Sequence, residues 1–213
     1  MMDAMAEPSE SAQQVDADVV AIDRGGRPAT TSAHELAAHA QRLFVANGFD
    51  NTSVEDIAAA AGVSRRTFFR YFPTKADVVW VESDAEFEVF RELLERSERG
   101  IPPAETVTAA FIAALDHGRD QDEWARHRAE LIMSVPAVQA RANLVYRQWR
   151  AEMRRFVADR LGMAQDDRYP VAVAHAVTAA SVAAHEHWLS RSDLTMRDCL
   201  RGMFDLMVPP YTP

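Results

Sequence analysis

Between residues 32 and 73 the chain is punctuated so closely that only short helices fit. Ser32 with Glu35, and Thr52 with Glu55, each pair a hydroxyl with a carboxylate three positions on, the pattern in which side chain and backbone cap one another at a helix start. Gly48 and Gly62 stop helices, and Pro73 closes a third that is capped at Ser64. Within these limits Leu36, Ala40, Leu43 and Phe44 recur at helical spacing, as do Val54, Ile57, Ala58 and Ala61, and then Phe68 and Phe72. The spacing predicts a first helix over 32–47 and a third over 64–72. Helices this short do not persist alone in water, so the three must pack on one another. The second and third, joined through "AGVS", form a helix-turn-helix.

From Thr74 the helices lengthen. Thr74 with Asp77 caps a connecting helix whose Val78, Val81, Phe87, Phe90 and Leu94 carry it to about 99, where Gly100, Pro102 and Pro103 interrupt. Further helices are expected at about 104–117, 121–133, 136–161, 169–190 and 193–207. No strand-like alternation or hairpin signal occurs, so the fold class is all-α. Residues 1–29 lack periodicity and predict a disordered tail. Its "RGGRP" end reads either as an arm laying Arg24 and Arg27 into a minor groove or as a plain linker. A DNA-binding domain over 30–77 and a ligand-binding and dimerisation domain over 78–213 complete the division.

The third helix raises a question of charge. The formal net charge of the chain is -9, yet "GVSRRTFFRYFPTK" gathers Arg65, Arg66, Arg70 and Lys75 with no acid among them. Overall acidity does not exclude DNA, because it is the local field that releases counterions from phosphates. In a helix-turn-helix the second helix enters the major groove with its N-terminal residues toward base edges. Ser64, Arg65, Arg66 and Thr67 are hydrogen-bonding types at that end, and Arg pairs bidentately with guanine. Phe68 and Phe72 point inward, and Phe69, one step round, projects toward thymine methyls. Arg70, Tyr71 and Lys75 suit phosphate.

Residues Thr31 to Trp80 resemble the DNA-binding domain of the tetracycline-repressor (TetR) family, and the stretch "LFVANGFDNTSVEDIAAAAGVSRRTFFRYFPTKADVV" within them matches position by position over nearly forty residues. The resemblance implies that Arg65, Arg66, Thr67 and Phe69 face bases and that Thr52, Ser64, Tyr71 and Lys75 touch phosphate. Many members carry a small residue where Arg66 stands, a departure that hints at an added guanine contact. The segment "ARHRAELIMSVPAVQARANLVYRQW" further resembles the mycofactocin-regulator-like branch of the family. That likeness implies an acyl-CoA-type effector, with Arg128 and the arginines of the long helix on its phosphates.

A single helix-turn-helix binds weakly, so a homodimer through residues 169–207 is expected on a double-stranded operator. Ala172, Ala176, Ala179 and Ala183 form a small-residue ridge, and Met196, Leu200, Met203 and Met207 an apolar stripe. Either faces a second copy or the core of its own chain. Phe111, Trp124, Leu131, Met133, Trp149, Met153 and Phe156 are candidates to wall an effector pocket or simply to fill a core. The helix 136–161 holds arginines at 141, 147, 150, 154, 155 and 160 against only Glu152 and Asp159. With Arg126 and Arg128 they form either an anion site or a solvated basic face.

Rival chemistry finds little support. Cys199 is the only cysteine, His185 and His187 are two apart and point to different sides of a helix, and no "GxSxG" turn occurs. No enzyme, metal or cofactor is expected. No apolar run approaches the roughly 20 residues of a bilayer span, and a cytoplasmic location is expected. The reading is a ligand-responsive transcriptional regulator, a repressor released from a palindromic operator. The alternative is a small-molecule binding protein of the same fold without operator recognition.

Overall fold

A computed structural model describes residues 32–116 and 122–211. The expected tail, with Arg24 and Arg27, lies outside the described residues. The elements are α1 (Ala33–Asn47), α2 (Val54–Ala60), α3 (Arg65–Tyr71), a 3-10 turn (Lys75–Trp80), α4 (Ser83–Glu95), α5 (Pro103–Ala114), α6 (Asp122–Ser134), α7 (Pro136–Leu161), α8 (Arg168–Ser190) and α9 (Met196–Met207). Among the described residues there is no strand, as the absence of alternation predicts.

Local chemistry sets the helix starts. Ser32 accepts from the Glu35 amide at 3.1 Å while the Glu35 carboxylate accepts from the Ser32 amide at 2.8 Å. The second helix is capped one residue later than the pattern suggests. Ser53 and Asp56 make the reciprocal pair, and the Ser53 hydroxyl, then its amide, by donating to the Asp56 carboxylate hold that carboxyl below its ordinary range. Thr52 is instead buried, its hydroxyl donating to the carbonyls of Gly48 at 2.9 Å and Leu43 at 3.3 Å. Both hydroxyls fit the capping pattern, and the tight turn at Gly48, at φ 85°, selects Ser53 by folding Thr52 inward.

The expected connecting helix is broken. Lys75–Trp80 winds as a 3-10 turn and α4 begins at Ser83. At the break the Val79 carbonyl accepts from Arg128 Nε at 3.0 Å, a bond outside its own helix.

Two apolar clusters organise the chain. One joins α1, α2, α3 and the 3-10 turn through Leu36, Phe44, Ile57, Phe68, Phe72 and Val78, and extends to Leu131 of α6 and Val138 and Ala142 of α7. The helix-turn-helix therefore shares its core with the helices that follow. Trp80 reinforces the joint by donating from Nε1 to the Val138 carbonyl at 3.3 Å, and Arg141 pairs with Asp77 at 3.1 Å. The second cluster fills the space between α4, α5, α7, α8 and α9, with Trp149 stacked on Phe90 at 4.8 Å and edge-on to Phe111.

Of the two stripes expected to face either a second copy or the core, one points outward and the other mostly inward. Ala172 and Ala179 are exposed and Ala176 and Ala183 half-buried, so the alanine ridge of α8 faces away from the core. The methionine stripe of α9 mostly faces inward: Leu200 is buried, and Met196 and Met203 pack against the same core. Leu206, 82% exposed, and Met207 remain outside.

Candidate nucleic-acid interface and effector cavity

The outer face of α3 is built by its inner one. Phe68 is fully buried and Phe72 nearly so, anchoring the helix through rings 5.6 Å apart. That orientation leaves Ser64, Arg65, Arg66, Phe69 and Arg70 exposed, with Thr67 and Tyr71 half-buried at the edges. Ser64 caps the helix, accepting from the Thr67 amide at 3.1 Å. Arg65 lies over the Phe69 ring at 5.3 Å and pairs with Glu55 of α2 at 3.2 Å, while Arg70 lies over Tyr71 at 4.9 Å. Three guanidinium groups and one exposed ring thus share the solvent-facing side of α3.

Two of the residues expected to touch phosphate are committed elsewhere. Thr52 is buried with its hydroxyl spent on two carbonyls, as above. Lys75 donates from Nζ to the carbonyls of Phe49 at 2.6 Å and Thr52 at 2.8 Å, and sits over the Phe49 ring at 4.2 Å. It closes the loop between α1 and α2 from behind. Its charge reinforces the local field, but two of its three N–H groups are engaged.

A cavity of about 480 Å³ opens between α4, α5, α6, α7, α8 and α9. Its apolar walls include Phe111, Ile112, Leu115, Trp149, Trp188 and Leu200, and Arg197 and Asp116, themselves an ion pair, lie at its exposed edge. Its polar wall is formed by Ser83 and Glu86 of α4, Arg128 of α6, Tyr146 of α7, and Thr178, Ser181 and His185 of α8. Glu86 and Arg128 are both buried and joined by two bonds, one of them Nη2 to Oε2 at 3.0 Å. Burial opposes charge on Arg128, but the adjacent Glu86 carboxylate more than offsets it and the guanidinium is held charged. The Tyr146 phenol is pushed up by burial and stays protonated.

Of the pocket residues expected from sequence, Phe111, Arg128 and Trp149 line the cavity. Met153 and Phe156 do not; they face the core between α7 and its neighbours. Leu131 belongs to the helix-turn-helix cluster, because α6 presents opposite sides to the two cores. Trp124 and Met133 lie outside the lining, with the Arg128 guanidinium 5.6 Å from the Trp124 ring. Arg128 itself is not a free cation, since Glu86 and the Val79 carbonyl use Nε and both terminal nitrogens.

The arginines of α7 are largely internal fasteners. Arg141 pairs with Asp77, Arg155 with Glu152 and Asp159, Arg154 donates to the Gln165 carbonyl, and Arg160 to the carbonyls of Ser97 and Glu98. They do not converge on one anion site.

Sequence reasoning missed Glu86, Tyr146, Ser181 and Trp188. The signal was present on α8, where Thr178, Ser181, His185 and Trp188 recur at helical spacing along an otherwise Ala- and Val-rich helix.

Residues 36–79 match the family model for bacterial regulatory proteins of the tetR family, and residues 101–212 match that for the MftR C-terminal domain. Over 186 residues, 86% of this chain and 93% of the other, the sequence is 33% identical to MftR of Mycobacterium tuberculosis, named as a transcriptional regulator of mycofactocin biosynthesis. The fold is similar to that of NalD, the secondary repressor of the MexAB-OprM multidrug efflux pump in Pseudomonas aeruginosa. The TM-score is 0.61 at 21% identity, covering 85% of this chain and 98% of NalD. It is also similar to Thermus thermophilus FadR in complex with lauroyl-CoA, with a TM-score of 0.53, 21% identity and coverage of 85% and 98%. With the C-terminal model spanning half the chain and the MftR likeness nearly all of it, the chain belongs to the TetR family of ligand-responsive, DNA-binding transcriptional regulators.

Proposed function

We propose that the protein is a homodimeric repressor that holds a palindromic operator with two copies of α3 and releases it when an effector fills the cavity. The observation that carries this reading is the position of Arg128. It lies in the cavity wall, yet it is bonded to the Val79 carbonyl in the turn that follows α3 and to Glu86 on α4. An effector that alters this wall acts directly on the element that sets the orientation of α3. Release requires the effector to bind one orientation better than the other, since equal affinity shifts nothing.

Base reading falls to Arg65, Arg66, Thr67 and Phe69, and phosphate contact to Ser64, Arg70 and Tyr71. The dimer forms through α8 and α9, with the exposed alanine ridge admitting close approach of a second helix and Leu206 and Met207 covered by the partner. The likeness to FadR crystallised with lauroyl-CoA makes an acyl-CoA one effector class to test against the chemistry of the cavity wall. Its acyl group would lie along Phe111, Trp149 and Leu200. Its phosphates would remain at the surface, because the cavity offers them no unpaired guanidinium.

Enrichment of random palindromic duplexes, followed by sequencing, tests the reading. Wild type is expected to select a two-fold symmetric motif that Arg65→Ala with Arg66→Ala loses. Selection indifferent to both arginines would move the assignment to a binding protein without operator recognition.

A further inference from the structure

The polar wall of the cavity has a definite hydrogen-bonding character, and it narrows the chemistry of what the cavity takes. Glu86 and Arg128 cancel within a buried pair, while at the exposed edge Arg197 pairs with Asp116 and the Asp198 carboxylate accepts from the Thr195 hydroxyl; no further charge lies among the inner wall residues. What remains is neutral. Nδ1 of His185 lies 2.7 Å from the Ser181 carbonyl, which only accepts, so Nδ1 carries the proton. Burial, aided by the Arg128 charge, disfavours a second proton on the ring and outweighs the opposing pull of the Ser181 carbonyl and Glu86. Nε2 is therefore an acceptor, and it has no partner among the described residues. The hydroxyls of Ser83, Tyr146 and Ser181 line the same cavity and likewise have none.

A wall with one strong acceptor and several hydroxyl donors matches a single type of group best. A carboxylate would meet Glu86 and an imidazole lone pair, and would shed its water without gaining an unpaired cation. A carbonyl, ether or thioester would leave Nε2 buried without a donor. A hydroxyl donates to Nε2 and accepts from a neighbouring Ser or Tyr at the same oxygen. The apolar lining, Phe111, Trp149 and Leu200 together with Trp188 one turn beyond His185 on α8, suits a flat apolar body.

We propose that the cavity takes an uncharged ligand with an aromatic or fused-ring body and a hydroxyl group that donates to Nε2 of His185. This rests on the proposed function's placing the effector in this cavity, and it departs from the acyl-CoA suggested by the likeness to FadR, whose thioester would leave Nε2 without a donor.

Three compounds of one shape test it: 4-phenylphenol, 4-methoxybiphenyl and biphenyl-4-carboxylate, titrated against the full chain by calorimetry and by quenching of Trp149 and Trp188 fluorescence. The phenol is expected to bind roughly tenfold tighter than the ether, the scale of one buried acceptor gaining or lacking its donor. The carboxylate is expected to bind weakest. His185→Leu should erase the gap between phenol and ether, and His185→Gln, whose amide oxygen still accepts, should keep part of it. The proposal is overturned if the carboxylate binds tightest, if phenol and ether bind equally, if none of the three binds, or if His185→Leu, shown folded by circular dichroism, preserves the gap. Should His185→Leu not fold, the wild-type ranking alone decides. Operator selection is measured without ligand, so a failed ranking with intact operator binding sinks the ligand class only, and a correct ranking without operator binding sinks the repressor reading only.

Discussion

Arg128 holds the Val79 carbonyl at 3.0 Å through Nε while its terminal nitrogens grip the Glu86 carboxylate. One side chain of α6 thereby fixes both the turn behind the helix-turn-helix and the start of α4, from inside the cavity. Removing one member leaves an uncompensated buried charge, so Arg128→Met should cost about 3–5 kcal/mol in chemical denaturation. Replacing both, as Glu86→Leu with Arg128→Met, should restore most of that stability, because apolar packing substitutes well for a buried pair. The double variant should still select the operator but respond to effector at least roughly tenfold less, the size of a typical coupling free energy. Full effector response in the double variant would remove the pair from the signal path.

Lys75 and Arg70 separate two kinds of positive charge. Lys75 is bound to two backbone carbonyls, whereas Arg70 is exposed and, among the described residues, reaches only Tyr71. Lys75→Met should lower stability by about 1.5–3 kcal/mol, the worth of hydrogen bonds to a charged group. Arg70→Ala should leave the melting temperature nearly unchanged and reduce the slope of log affinity against log salt by about one. The reverse assignment in paired melting and salt-titration experiments would make Lys75 the phosphate ligand that the sequence suggests.

Gln41 lies on the buried face of α1, and neither its amide nitrogen nor its oxygen has a partner among the described residues. It sits among Leu36, Ala37, Ala40 and Phe44, where helical spacing calls for an apolar residue. Gln41→Leu removes two unsatisfied groups at similar volume and should raise stability by about 1–3 kcal/mol. Loss of stability would mean that the amide is satisfied by bound water.

Much of this architecture was readable because its signals are local. Caps at Ser32 and Ser64, stops at Gly48 and Gly62, and the i, i+4 pair Phe68 and Phe72 each act within one or two turns, and they placed α1 and α3 and the face of α3 that looks outward. The cavity was less legible because it depends on which side of a long helix meets which neighbour. Periodicity identified Trp149, Met153 and Phe156 as one apolar face of α7, but only packing against α4, α5 and α8 leaves Trp149 at the void and the other two beneath it. The break between Trp80 and Ser83 was invisible for the same reason. The partner of the Val79 carbonyl is 49 residues away, and no local rule points to it.

The site should also leave a trace in the pH dependence of stability. His185 is held neutral in the folded chain, chiefly by burial, with Arg128 acting in the same direction and Glu86 and the Ser181 carbonyl opposing. Its folded pKa lies below the unfolded value of about 6.5, so between the two the unfolded chain binds more protons. The stability this contributes is complete above about pH 6.5 and is lost as pH falls from there through the folded pKa. Denaturation at pH 7.5, 6.5 and 5.5 should show the wild type losing up to about 1.4 kcal/mol per unit more than His185→Gln, which cannot titrate. The other histidines are common to both proteins and cancel in the difference. Equal slopes would mean that the ring titrates as it does in water, and Nε2 would then be a donor at mildly acid pH rather than the acceptor on which the hydroxyl preference depends.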